Sequence, residues 1–219
     1  MINDYRITMY NKVGDSLREF NSRKYGEITF VDATDPYQLL VFFQDYNLIL
    51  FLDNFLSENG EPVDLQELGY DQISFACQSR EKGVWLFDQL RQKIIKLDQN
   101  FVPTHESINL AQWFGNNVQP NFMVEFNNQL FIAEKNEGFY VFDHFATFSK
   151  RIQLKNAEHP QVISGKINFM RGENLCQYNL KSFETFCDST IQYKALNVRI
   201  EEGKTYINSG KKVQIFKLN

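Results

Sequence analysis

Cysteine, proline and long apolar runs are all scarce in this sequence, and each scarcity excludes a class of protein. Three cysteines among 219 residues close one disulfide at most, so they cannot build a disulfide framework. The most apolar stretch, residues 39–52, is interrupted by polar residues at 44–47, and no run approaches the roughly 20 residues of a membrane-spanning helix. With five prolines and no low-complexity stretch the chain shows no linker, and we expect one domain over residues 1–219.

Basic residues are too few for a general nucleic-acid surface. The chain carries 23 Lys and Arg against 27 Asp and Glu, which gives a net charge of −4. Domains that bind nucleic acid usually show the opposite balance, so we expect no nucleic-acid partner. Apolar residues make up 43% of the chain, with 21 Phe and 10 Tyr, and this composition is typical of a globular protein with a substantial core.

Short apolar segments alternate with turn residues along the whole chain. Segments such as 93–97, 121–126 and 166–170 are too short for helices and are bounded by Asn, Asp, Gly or Glu. Asn and Gly suit tight reversals because they tolerate a positive φ angle. Apolar residues nowhere keep a helical period for three turns, although 65–68 and 110–114 could each form one turn. The pattern predicts an all-β fold.

The segment 83–90 is similar to the segment 138–145. Each has a glycine, four apolar residues, an Asp and then a second turn, and weaker copies lie at 7–11, 48–55, 174–180 and 213–218. The spacing between most copies is close to the length of a four-stranded propeller blade, which is roughly 40 residues. We therefore predict a β-propeller of five or six four-stranded antiparallel blades, with Trp85 and Tyr140 in equivalent third strands.

The two ends of the chain supply fewer strands than a full blade. Residues 5–20 resemble the last two strands of an incomplete N-terminal blade, or they close the ring by pairing with the C-terminal strand at 213–218. Three strands fit within 195–218. The segments with room for four strands are 27–66, 72–110, 120–154 and 161–188.

Three motifs carry a resemblance to a known family. Residues 31–36 read Val-Asp-Ala-Thr-Asp-Pro, residues 52–54 read Leu-Asp-Asn, and residues 84–88 read Val-Trp-Leu-Phe-Asp. They resemble motifs of uncharacterised, envelope-associated β-propeller proteins of Bacteroidota with NHL/YVTN-like repeats, in which Asn is usual at the position of Asp35. The resemblance covers about the first two-thirds of the chain. It implies a propeller and no particular activity.

The same resemblance implies a periplasmic or outer-membrane-associated protein whose export signal precedes this sequence. Residues 1–6 show no basic segment followed by an apolar one, so the sequence itself contains no signal. Two interpretations stay open: a chain whose signal has been removed, and a cytoplasmic protein.

No residue pattern indicates catalysis, a cofactor or a metal. Asp53, Asp88 and Asp143 each follow a short apolar strand, where an Asp side chain typically bonds the backbone of the next turn. The three histidines share no metal-ligand spacing, and we interpret them as exposed turn residues where they lie in loops. We therefore expect no catalytic, cofactor-binding or metal-binding residues.

The cysteines fall into two groups. Cys77 alternates with other apolar residues on one strand and is expected to be an inert core residue. Cys176 and Cys187 lie on strands joined by one turn, but a turn centred near 180–182 pairs Cys176 with residue 185 or 186. Whether they form a disulfide stays open.

These observations favour a non-enzymatic propeller that acts as a protein-interaction module or scaffold subunit in the bacterial cell envelope, in association with a membrane complex. Loops at 44–47, 116–119 and 156–159 are the candidate contact sites, with Tyr46, Trp113, Asn117 and His159 as partner-binding residues. The alternatives are a propeller hydrolase or lyase and a small-ligand or sugar-binding propeller, each with a site at the channel mouth.

Overall fold

A computed structural model describes residues 1–188, 197–201, 203–210 and 212–217 of the chain. These residues form six small antiparallel sheets, and in each sheet every strand pairs with its neighbours in sequence order. The first strands of consecutive sheets lie beside one another from the second sheet to the sixth. The protein is therefore a six-bladed β-propeller, and the all-β prediction is confirmed.

The blades are numbered here in chain order. Blade one contains β1 (Ile2–Asn3), β2 (Arg6–Tyr10) and β3 (Ser16–Asn21), and blade two contains β4 (Phe30–Asp35), β5 (Gln38–Phe43), β6 (Leu48–Asp53) and β7 (Val63–Asp64). Blade three contains β8 (Ile73–Gln78), β9 (Val84–Asp88), β10 (Lys93–Leu97) and β11 (Pro103–Glu106), and is followed by the helix α1 (Leu110–Phe114).

The remaining blades follow the same plan. Blade four contains β12 (Phe122–Phe126), β13 (Gln129–Glu134), β14 (Gly138–Asp143) and β15 (Phe148–Ile152). Blade five contains β16 (Glu158–Ile163), β17 (Lys166–Arg171), β18 (Asn174–Asn179) and β19 (Thr185–Asp188), and blade six contains β20 (Asn197–Glu201), β21 (Lys204–Asn208) and β22 (Val213–Lys217).

The terminal blades each have three described strands. The N-terminal blade is incomplete, as predicted, but the predicted pairing of its strands with the C-terminal strand is wrong for the described residues. There, β2 pairs with β1 and β3, and β22 pairs with β21. Each terminal blade packs instead on its sequence neighbour, β2 through Ile7 and β20 through Val198.

Both faces of an interior blade are buried, which explains the continuous apolar runs. Adjacent residues on a strand point to opposite faces of its sheet. In β5, Leu40 and Phe42 pack toward blade three, whereas Val41 and Phe43 pack toward blade one. All four side chains are fully buried, so apolar residues at consecutive positions form the core between blades.

The predicted equivalence of Trp85 and Tyr140 is wrong. Trp85 lies on β9, the second strand of its blade, whereas Tyr140 lies on β14, the third strand. Both strands are buried on both faces, so their sequences look alike. The true counterpart of β14 is β10, which carries the buried Lys96 in its apolar run. Its charge hides the repeat from sequence comparison.

One turn recurs just before the last strand of blades one to five. Its first residue is Asp or Asn, and the side-chain Oδ1 accepts hydrogen bonds from the backbone N–H groups two and four residues later, or two and three later in blade five. Asp53 and Asp143 are turn acids of this kind, as predicted. Asp88 also bonds the turn after its strand, as predicted, because its Oδ1 accepts from Arg91 N at 2.8 Å, but that strand is the second of blade three, and Asp98 holds the place equivalent to Asp53 and Asp143. The five positions are Asn11, Asp53, Asp98, Asp143 and Asn179, with N to O distances of 2.8–3.1 Å.

Asp98 offers a direct test of this turn. Its Oδ1 accepts from Asn100 N at 2.8 Å and from Val102 N at 2.9 Å. Asp98→Ala removes both bonds and should lower the free energy of unfolding by about 1 kcal/mol. Asp98→Asn keeps the accepting oxygen, as at Asn11 and Asn179, and should change stability by less than about 0.5 kcal/mol. Urea unfolding measures both, and equal losses would contradict the assigned bonds.

Cys176 and Cys187 form a disulfide. They are direct partners in the pairing of β18 with β19, so the predicted register of 185 or 186 is wrong. The turn that joins the two strands is not centred at 180–182. Phe183 N donates to the Asn179 carbonyl, and Asn179 N donates to the Glu184 carbonyl, which shifts the pairing of the strands. Cys77 is fully buried in the core, as predicted, and burial raises the pKa of its thiol.

Thiol titration checks this arrangement. The native protein should show no reactive thiol, because Cys77 is buried and the other two cysteines are bonded. Denaturation should expose one thiol, and denaturation with a reductant should expose all three. Three thiols without a reductant would show that the disulfide is absent.

Candidate binding face

The turns and connections of the blades meet at two ends of the propeller. Because neighbouring strands are antiparallel, the turn between the second and third strands lies at the same end as the connection between blades. We call this end the α1 face, since the connection from blade three to blade four contains α1. Tyr46, Trp113 and Asn117 lie on the α1 face, and His159 lies near it at the start of β16.

The helix α1 holds Trp113 in an exposed position. Asn109 caps the helix by accepting from Gln112 N at 2.8 Å, and Gly115 ends it in the left-handed conformation that favours glycine. Leu110 is buried, and Phe114, one turn later, packs on Tyr140 with ring centroids 4.6 Å apart. Trp113 lies to one side of these two residues and is 61% exposed.

Two further apolar residues are exposed on segments that are bonded together beside Trp113. Leu90 lies in the β9–β10 turn, and Ile108 lies just before α1. Leu110 N donates to the Gln92 carbonyl at 2.8 Å, and Asn109 Nδ2 donates to the Arg91 carbonyl at 2.9 Å. These bonds fix the turn against the helix. We call Leu90, Ile108 and Trp113 the Trp113 patch.

Gln92 anchors the connection that carries Asn117. Its buried amide donates to the Val118 carbonyl at 3.3 Å and accepts from Val118 N at 2.7 Å. Val118 itself is fully buried, whereas Asn117 is exposed. The predicted contact loop at 116–119 is therefore held in place from below by an interaction that sequence reasoning missed.

Asn47 anchors the turn that carries Tyr46 in the same way. Asn47 is buried, its Nδ2 donates to the Tyr70 carbonyl, and its Oδ1 accepts from Ile73 N at 3.1 Å. Tyr46, the preceding residue, is 59% exposed. Both Asn47 and Gln92 end a second-to-third-strand turn with a positive φ and bond the next connection along the chain. In the sequence, the feature that identifies them is a side-chain amide at the last position of the second-to-third-strand turn, which occurs in two successive blades.

His159 differs from its predicted environment. It lies within β16 and is half-buried, so its interpretation as an exposed loop residue is wrong. Burial, and secondly the nearby Arg199, lower the pKa of His159. Its backbone carbonyl accepts from Arg199 Nη1 at 3.5 Å, and His159 thus belongs to the junction between blades five and six.

Substitution of Asn47 should measure how strongly this anchor holds the turn. Asn47→Ala leaves the Tyr70 carbonyl and the Ile73 N–H unpaired and should lower the free energy of unfolding by about 2–4 kcal/mol. The control is Asn128→Ala in an exposed hairpin turn, where φ is also positive and the expected loss is about 1 kcal/mol. Equal losses in urea unfolding would show that backbone conformation, rather than the anchor, determines the effect.

Comparisons with known proteins support the fold. No protein-family model matches the sequence, and no curated protein matches it. A Bacteroides caccae protein of unknown function has a similar structure, with a TM-score of 0.66, 11% identity and coverage of 99% of this chain and 89% of the other. At such identity the likeness shows the fold alone, and the resemblance to NHL/YVTN-like repeats stays an expectation.

Two further solved structures are similar. One is the extracellular domain of a Bacteroides thetaiotaomicron protein assigned to the one-component systems, with a TM-score of 0.63, 12% identity and coverage of 99% of this chain and 31% of the other. The other is the WD40 domain of Neurospora crassa Pan2, with a TM-score of 0.61, 12% identity and coverage of 97% and 69%. Both likenesses again concern the propeller architecture.

In the described part of the chain, no group of three or more His, Cys, Asp or Glu side chains could hold a metal ion. No helix there is long and apolar enough to cross a membrane.

Proposed function

We propose that the protein is a non-enzymatic propeller that binds a protein partner through the Trp113 patch on the α1 face. The observation that carries the proposal is the exposed Trp113 on a short capped helix, whose start is hydrogen-bonded to the turn that carries the exposed Leu90. Binding energy at protein interfaces concentrates in a few aromatic anchors on rigid supports. A tryptophan that is already fixed loses little conformational freedom when a partner covers it.

We further propose that the protein works in the cell envelope, as a scaffold or interaction subunit associated with a membrane complex. The disulfide between Cys176 and Cys187 supports this location, because disulfides persist in oxidising compartments and are rare in the cytosol. A cytoplasmic location remains the alternative. Fractionation of the source organism distinguishes them by recovering the oxidised protein either with the envelope or with the cytosol.

Site-specific photo-crosslinking in the source organism tests the partner proposal. A photoreactive amino acid at position 113 should crosslink a single partner protein, and the same amino acid at position 145 serves as control. Phe145 is similarly exposed but lies in a third-to-fourth-strand turn at the opposite end of the propeller. Crosslinking from position 145 to the same partner with equal yield would contradict the proposal.

Affinity of the purified pair provides the second measurement. Trp113→Ala should weaken binding by about tenfold or more, because the indole is the aromatic anchor of the interface. Phe145→Ala should leave the affinity unchanged within about twofold. Both residues are more than half exposed, so neither substitution should unfold the protein. An unchanged affinity for Trp113→Ala would place the interface elsewhere.

A further inference from the structure

A cleft between blades one and two has the features of a small-ligand site. It is an open depression of about 530 Å³ at the α1 face, and its lining residues are exposed or half-buried. Its walls come from the β1–β2 turn, the connection from β3 to β4, and the β5–β6 turn. The lining residues are Tyr5, Arg23, Gly26, Glu27, Asp45 and Tyr46.

The ring of Tyr46 forms one wall of this cleft. A Cβ atom at Gly26 would lie 2.7 Å from ring atoms of Tyr46, so the ring rests directly on the backbone of Gly26. Gly26 also has a φ of +81°, which favours glycine. Tyr46 nevertheless keeps 59% of its surface exposed. One side of the ring is therefore supported by backbone while the rest faces the cleft.

The polar groups of the cleft include both donors and acceptors. Tyr5 OH donates to Glu27 Oε1 at 3.3 Å, and the guanidinium carbon of Arg23 lies 5.7 Å from the centre of the Tyr5 ring. Asp45 adds a second carboxylate. Carboxylates only accept, guanidinium only donates, and phenols do both. A ligand that satisfies all of them must itself donate and accept at neighbouring atoms.

Both walls are held by buried residues outside the cleft. Tyr25 is buried against Phe43 and donates to Glu58 Oε2 at 3.1 Å, which fixes the segment with Arg23, Gly26 and Glu27. Asn47 fixes the opposite turn, as described above. The backbone of both walls is therefore fixed by contacts outside the cleft, which reduces the entropy lost on binding.

We infer that this cleft binds a neutral saccharide, with a pyranose ring stacked on Tyr46 and its hydroxyl groups bonded to Glu27, Asp45 and Arg23. The apolar C–H face of a pyranose matches an aromatic ring, and its vicinal hydroxyl groups both donate and accept. Two carboxylates against one guanidinium give the lining a net charge of −1, which disfavours an anionic ligand, and a cation that only donates would leave the Arg23 guanidinium without an acceptor. The inference is independent of the protein partner proposed for the Trp113 patch.

Titration calorimetry and saturation-transfer NMR with defined probes test this inference. The probes are methyl α-D-glucopyranoside, methyl β-D-galactopyranoside and N-acetylglucosamine, with glucuronate as the anionic probe and arginine methyl ester as the cationic probe. At least one neutral probe should bind with a dissociation constant of about 1 mM. Binding only of the charged probes, or of none up to about 20 mM, would overturn the inference.

Variants locate the binding within the cleft. Tyr46→Ala should weaken saccharide binding by about tenfold, whereas Tyr46→Phe keeps the ring and should stay within about twofold. Glu27→Gln should weaken it as well, because the amide replaces one accepting oxygen with a donor. Tyr37→Ala is the matched control, since Tyr37 is an exposed turn tyrosine at the opposite end of blade two.

The two sets of variants distinguish the saccharide proposal from the partner proposal. Trp113→Ala should leave saccharide binding unchanged, and Tyr46→Ala should be folded, with a melting temperature close to that of the parent protein. Saccharide binding that survives Tyr46→Ala would overturn the assignment of the cleft. Loss of partner binding in Trp113→Ala with intact saccharide binding would support both proposals separately.

Discussion

Hydrogen bonds that cross the junctions between blades are the interactions on which this propeller depends. Apolar packing holds neighbouring sheets together but is not directional, so it leaves their relative position loosely defined. Buried or half-buried polar side chains on first strands supply the direction. Asp32 of blade two accepts from Gln78 N of blade three at 2.8 Å, and Gln161 of blade five accepts from Ile200 N of blade six at 2.7 Å. Each bond fixes the position of one blade relative to the next.

Asp32 and Glu125 are two buried carboxylates of this kind. Each accepts a hydrogen bond from a backbone or indole N–H group, which compensates the free-energy cost of its burial. Burial raises the pKa of Asp32, while the backbone N–H groups of Thr34 and Gln78 favour its carboxylate form. Glu125 of blade four accepts from Trp85 Nε1 of blade three at 2.6 Å. Such donors turn a costly buried acid into a specific contact between blades. These carboxylates are therefore structural, although they lie buried among the inner strands.

Sequence reasoning reached the architecture because propeller blades leave a clear pattern of short apolar strands and Asn, Asp or Gly turns. It did not distinguish the second strand of blade three from the third, because both strands are buried and largely apolar. The largely apolar β9 was matched with β14, whereas β10, although predicted as a strand, was not recognised as the counterpart of β14 because Lys96 interrupts its apolar run. Lys96 is buried because its ammonium group contacts Glu81 Oε2 at 2.6 Å and lies over the Trp85 ring. Those partners are distant in sequence, so no local pattern reveals them.

The same limit applied to the candidate sites. Tyr46 and Trp113 could be found as aromatic residues in turns, but the residues that hold them could not. Asn47 and Gln92 look like ordinary turn residues in the sequence, and only the fold shows that each bonds the following connection between blades. Anchoring the backbone and presenting a surface side chain are therefore carried out by different residues of one short turn. The last residue of the turn is buried and fixes the backbone. An exposed residue one or two positions before it, Tyr46 or Leu90, can therefore change without loss of the fold. A propeller built in this way can acquire new binding surfaces on its α1 face while its blade junctions stay the same.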